Sequence, residues 1–106
     1  MSTIPSISHT PEDLLAGNRY TFHEDAGHGW LEVNRADLVE LNIATKISPY
    51  SYQKDNKVYL EEDCDTNEFV RAYEERFGVM VTMDNLANDV YDGADSPIRG
   101  YASYRP

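Results

Sequence analysis

Cysteine and positive charge are the two things this sequence has least of. Cys64 is the single cysteine, which excludes an internal disulfide framework and fits a reducing compartment. Nine lysines and arginines stand against nineteen aspartates and glutamates, for a formal charge of −10. Free nucleic acid and anionic membrane surfaces are therefore poor partners, because phosphate binding rests on lysine and arginine. No window reaches the length of an apolar membrane span. The stretch "MSTIPSISHTPEDLL" has neither the basic start nor the apolar run of a signal peptide, so the expectation is a cytoplasmic protein. Glycine-rich phosphate loops are missing too, since "GHG" (27–29) lacks the further glycine and the lysine of the known fingerprints. There is no internal repeat, linker or low-complexity run. The 106 residues read as one domain, with 1–9 and 92–106 expected to be extended or loosely packed.

What is present is enough apolar material for a modest core. Hydrophobic residues make up 41% of the chain, which argues against disorder. Tyrosine is frequent, eight residues against three phenylalanines and one tryptophan. Its ring can be buried while its hydroxyl stays wet, which suits thin cores and contact surfaces alike.

Thr10, Pro11, Glu12 and Asp13 have the order of a helix start, and Gly17 that of a stop. Residues 19–24 alternate Tyr20 and Phe22 with polar residues, "DAGHG" reads as a turn, and "WLEV" resumes, which predicts a hairpin over 19–33. Asn34 is placed to cap a helix whose Leu38 and Leu41 face inward. A second hairpin is expected from "YSYQ" and "KVYLEE", with Val58 and Leu60 on one side and Tyr59 and Glu61 on the other. Asp65 and Glu68 have capping-box spacing ahead of a helix carrying Phe69, Val70, Tyr73 and Phe77 on one stripe and Gly78 as its stop. "VMVTM" (79–83) looks like a strand and "DNLANDVY" (84–91) like a short helix, while Ile98, Tyr101 and Tyr104 anchor a tail that wraps the surface. This order predicts an α+β fold, a small and mostly antiparallel sheet with helices packed mainly on one face.

The distinctive stretch is "VYLEEDCDTNEF" (58–69), where Glu61, Glu62, Asp63 and Asp65 crowd around Cys64. The acids are contiguous and no glycine turns the chain, so a calcium loop is excluded. A two-carboxylate magnesium site on Glu61 and Asp63 would need a third ligand that no motif marks. His23, His28 and Cys64 are zinc-binding types, but "HEDAGH" matches no known zinc spacing. Carboxylates beside Cys64 disfavour its thiolate, so it is expected to be a small buried packing residue. No metal, cofactor or catalytic residue is expected, and an enzyme is unsupported. The excess negative charge peaks over Ser51–Asp65 and recurs over Arg19–Val33 and Val79–Tyr91. Asp65 and Glu68 would cap, while Glu61, Glu62 and Asp63 project. With Glu24, Asp25, Glu74 and Glu75 they form the expected partner-binding set.

The run "HGWLEV", followed by "ISPYSYQ", "VYLEEDCD" and "SPIRGY", resembles a group of short acidic proteins of unknown function carried by bacterial phages, plasmids and related mobile elements. The resemblance carries over no site residue. It implies an accessory protein acting in the cytoplasm of a bacterial host. By size and charge, such proteins resemble inhibitors of host defence, anti-CRISPR and anti-restriction proteins among them. The expectation is therefore a non-enzymatic acidic protein, a monomer or weak homodimer, that occludes the basic surface of a host nucleic-acid-binding or defence protein. The alternatives are a small metal-dependent hydrolase or metal-binding protein built on the acidic cluster or on His23 and His28, and a structural or assembly subunit.

Overall fold

The computed structural model describes residues 7–106, so most of the segment 1–9 expected to be loose lies outside the described residues. The first helix, α1 (Pro11–Leu15), starts with a true capping box: Thr10 accepts from the Asp13 amide while the Asp13 carboxylate takes the Thr10 amide. Two hairpins follow. β1 (Tyr20–Glu24) pairs antiparallel with β2 (Gly29–Asn34), and β3 (Tyr52–Lys54) with β4 (Lys57–Glu61). Asp55, at φ +54°, makes the tight turn of the second hairpin, a backbone region that aspartate and asparagine tolerate better than most. Each hairpin is followed by a helix, α2 (Arg35–Glu40) and α3 (Asp65–Phe77).

Strand alternation sorts the side chains onto two faces. Phe22, Leu31, Val33, Val58 and Leu60 point toward the helices, where they meet Leu14, Leu38, Leu41, Phe69 and Tyr73 in the main core. Trp30, Tyr52 and Tyr59 point the other way and are covered by the C-terminal stretch through Ile98 and Tyr101. The fold is α+β as expected: with β5 (Ala87–Tyr91) and β6 (Ala102–Ser103), the described residues form one six-stranded sheet in the order β5-β1-β2-β4-β3-β6. The tail is docked rather than loose: Ile98 and Tyr104 are buried, and Ala102–Ser103 add a short strand, β6, beside β3.

Three regions depart from the expected local structure, residues 79–91 first. Residues 79–82 are not a strand. The Val81 amide donates to the Glu74 carboxylate at 3.0 Å, and Thr82 caps a single-turn helix, α4 (Met83–Leu86). The strand is instead β5 (Ala87–Tyr91), inside the segment expected to be helical, and it pairs parallel with β1. An open edge at β1 outweighs the local helical spacing of Leu86 and Val90. Asn34 occupies the cap position of α2 but makes no cap bond; its amide oxygen accepts from the Lys57 ammonium at 2.7 Å.

The third change concerns Asp65, which does not cap α3. Its carboxylate is buried and accepts from the Ser48 amide (3.1 Å), the Ser48 hydroxyl (2.6 Å) and the Ser51 hydroxyl (2.5 Å). The N-terminal turn of α3 is tied down by Glu61, which accepts from the amides of Asp63 and Cys64 at 2.7 and 3.3 Å. Two other buried aspartates work as Asp65 does, holding distant segments by hydrogen bonds. Asp37 takes the Ser8 amide and hydroxyl and the Tyr20 hydroxyl. Asp25 takes the amides of Gly27, His28 and Ser96 and forms a two-pronged pair with Arg99. These three carboxylates account for part of the negative charge by structural need alone, since a buried carboxylate persists only when its oxygens are satisfied.

His23 binds the first three strands of the sheet together. Its Nε2 lies 2.8 Å from Glu32 on β2 and its Nδ1 3.4 Å from Asp92 just beyond β5. The hydrogen bond to Glu32 holds the imidazolium, raising the His23 pKa, and the same contact lowers that of Glu32. A raised histidine adds stability that is full below its unfolded pKa and fades as pH climbs through the folded value; a lowered glutamate adds stability that is lost as pH falls through its own. Stability should therefore plateau in the mildly acidic range and decline as pH rises past the ordinary histidine value. A His23→Gln variant should lose the alkaline decline in a melting-temperature series from pH 5 to 9, and an unchanged slope would remove His23 as its source.

Candidate functional site

Three strand ends coincide at one end of the sheet. β1 finishes at Glu24, opposite the first residue of β2, Gly29, while Trp30 pairs with Glu61 at the end of β4. The Glu62 amide donates to the Gly29 carbonyl at 3.1 Å. Gly29 is needed there by space: an added Cβ would lie 2.5 Å from Phe22 Cζ and 3.1 Å from a Glu62 carboxylate oxygen. The approach that glycine allows brings the end of the first hairpin against the exit of the second.

Glu24, Glu62 and Asp63 gather at this end and are exposed, and among the described residues none of them forms an ion pair. Glu62 has a raised pKa, first through partial desolvation and then through the negative charges of Asp63, Glu24 and Glu61. Negative charge is thus concentrated here, offset in part by the nearby His28 imidazole.

The other expected partner-binding residues behave differently. Glu61 is half-buried and spends its carboxylate on the turn that starts α3. Asp25 is buried and paired with Arg99, whose guanidinium holds its carboxyl well below the usual range. Glu74 is engaged with the Val81 amide. Glu75 is exposed but sits ten residues along α3 from Asp65, about 15 Å away at 1.5 Å per residue. Glu74 and Glu75 are therefore not part of this cluster. Cys64, expected to be buried, is exposed; it stands at the corner between β4 and α3 with its amide held by Glu61, which leaves the thiol facing outward.

Beside the acidic end lies an open cleft of about 410 Å³, lined by Trp30, Tyr50, Tyr52, Glu61, Asp63 and Arg99 together with His28 and Cys64. Trp30 and Tyr52 meet edge to face at 6.2 Å between ring centres. The Arg99 guanidinium lies over the Trp30 ring at 5.7 Å, a cation–π distance. Tyr50 is 77% exposed, held out on a loop whose flanking serines, Ser48 and Ser51, are both fastened to Asp65. The cleft was not foreseen from the sequence. Its aromatic residues come from β2, β3 and the preceding loop, and only the surplus of tyrosine hinted at it.

The histidines named in the metal-binding alternative lie in separate settings, His23 between Glu32 and Asp92, and His28 exposed near Trp30. Among the described residues no three metal-binding side chains converge. No helix among the described residues is long and apolar enough to cross a membrane. Compared with family models, curated proteins and solved structures, the chain finds no match.

Proposed function

We propose that this protein binds a basic protein surface through the acidic sheet end formed by Glu24, Glu62 and Asp63, and so occludes that surface from its own ligand. The observation that carries the reading is the crowding itself. Like charges are held close together here, and among the described residues none of Glu24, Glu62 and Asp63 is paired with a lysine or arginine. Such a surface is neutralised when lysines and arginines dock on it, which gives the association both its driving force and its steering. The charge of −10 extends the field beyond the contact. Resemblance of the "VYLEEDCD" and "HGWLEV" motifs to accessory proteins of phages and mobile elements supports a target within a bacterial host. A nucleic-acid-binding or defence protein, CRISPR or restriction machinery included, has the basic groove this surface fits.

Stability and binding should respond to salt with opposite signs. Added salt screens the carboxylate repulsion and favours the free fold, while it weakens docking. Glu62→Gln should accordingly raise the melting temperature at low salt and weaken binding. The deciding experiment is capture from host lysate at low and high salt, with eluted proteins identified by mass spectrometry. A basic partner should be retained at low salt, released at high salt, and bound about 100-fold more weakly by the Glu24→Lys/Glu62→Lys/Asp63→Lys variant. A partner held equally by the triple variant at both salt levels would overturn the reading.

A further inference from the structure

We infer that the cleft beside the acidic end is a receptor for one arginine side chain of the basic partner, a specificity element that rests on the acidic-surface reading and goes beyond it. Two kinds of group meet in the cleft. Tyr50 and Tyr52 supply aromatic surface, with the buried Trp30 packed against Tyr52, and Glu61 and Asp63 supply carboxylates. That combination recognises an organic cation, because ring faces and carboxylate oxygens both present negative potential.

The carboxylates have capacity to spare. Each Glu61 oxygen accepts one backbone amide, while a carboxylate offers about four lone-pair positions in all. The Asp63 side chain accepts no hydrogen bond among the described residues. Tyr50 leaves a large aromatic surface uncovered at 77% exposure, on a loop whose serines either side of it, Ser48 and Ser51, are fastened to Asp65.

The molecule also shows what this aromatic wall accepts. Arg99 lays its guanidinium over Trp30, and its charge is neutralised by the buried Asp25 beneath it. The internal arginine thus covers Trp30 without filling the cleft or opposing a second cation, and leaves Tyr50 and Tyr52 to an incoming group. A planar guanidinium can lie along a ring while its N–H fork meets a carboxylate. A lysine ammonium is a strongly hydrated point charge and does neither as well.

The chain's one tryptophan lies in the cleft wall and serves as the reporter. An oligo-arginine peptide titrated into the intact protein should give a saturable change in Trp30 fluorescence. It should bind at least about tenfold more tightly than an oligo-lysine peptide of equal length, with both affinities also read by calorimetry. Tyr50→Ala should weaken the arginine peptide about tenfold and leave the lysine peptide unchanged. Equal binding of the two peptides, insensitive to Tyr50→Ala but abolished by the Glu24/Glu62/Asp63 reversal, would overturn the arginine receptor and leave the acidic surface standing. Absence of binding by either peptide would overturn both.

Discussion

Replacing Asp65 with alanine should cost this protein about 3–5 kcal/mol, because it orphans several buried donors at once. The carboxylate holds the Ser48 amide and both serine hydroxyls, and Ser51 in turn accepts from the Glu61 amide while its own carbonyl takes the Tyr104 amide. One side chain therefore fixes the loop before β3, the end of β4 and the tail. For a domain of this size each kcal/mol shifts the melting temperature by about 4–8 °C, so a fall of about 12–40 °C is expected in a thermal melt. Ser51→Ala should cost about 1–3 kcal/mol, since Asp65 keeps its bonds to Ser48. If Asp65→Ala melts within a few degrees of the parent, the carboxylate is not the clasp described above. The same variant should lose the preference for arginine over lysine peptides, because Tyr50 would no longer be held at its loop tip.

Removing residues 97–106 should be as damaging. The deletion takes away Ile98 at 2% exposure and Tyr104 at 3%, and two such buried side chains are worth about 3–6 kcal/mol together. It also removes Arg99 and strips the cover from Trp30 and Tyr59, which Ile98 and Tyr101 now shield. Because Trp30 is 3% exposed in the intact chain, its emission should move to longer wavelength, and the melting transition should fall steeply or vanish. Ile98→Ala is the milder test, with a loss of about 2–5 kcal/mol and the tail retained. A truncated chain with unshifted emission and an unchanged melt would show that the tail is not part of the fold.

The sequence made the local order legible and hid what depends on distant partners. Tyr20 and Phe22, and later Val58 and Leu60, alternate plainly enough to predict both hairpins. The stripe from Phe69 to Phe77 with Gly78 behind it predicts α3 to within a residue. Residues 79–91 misled because their fate was decided elsewhere. Glu74 captures the Val81 amide, and the edge of β1, laid down near the start of the chain, recruits residues 87–91 as a strand. Asp65 misled in the same manner: its spacing to Glu68 matches a capping box, but two serines from the preceding loop compete for the carboxylate and win. The acidic end was only half visible. Glu62 and Asp63 were foreseen as projecting, while the engagement of Asp25 and Glu61 depends on Arg99 and on the geometry of a turn.

The sheet order carries a consequence for how the protein is made. Tyr20 at the start of β1 pairs with Ala87, and Tyr52 in β3 pairs with Ser103, so both outer strands are supplied late in synthesis to flanks formed early. The first hairpin leaves the ribosome with one side of its backbone unpaired, and that side stays unpaired until β5 has emerged. Pairings so distant along the chain slow folding, because a long loop must close before they form. An open strand edge is in that interval a site for wrong association with other nascent chains. The carboxylates on and next to this hairpin, Glu24 among them, would keep such chains apart until the native strand arrives.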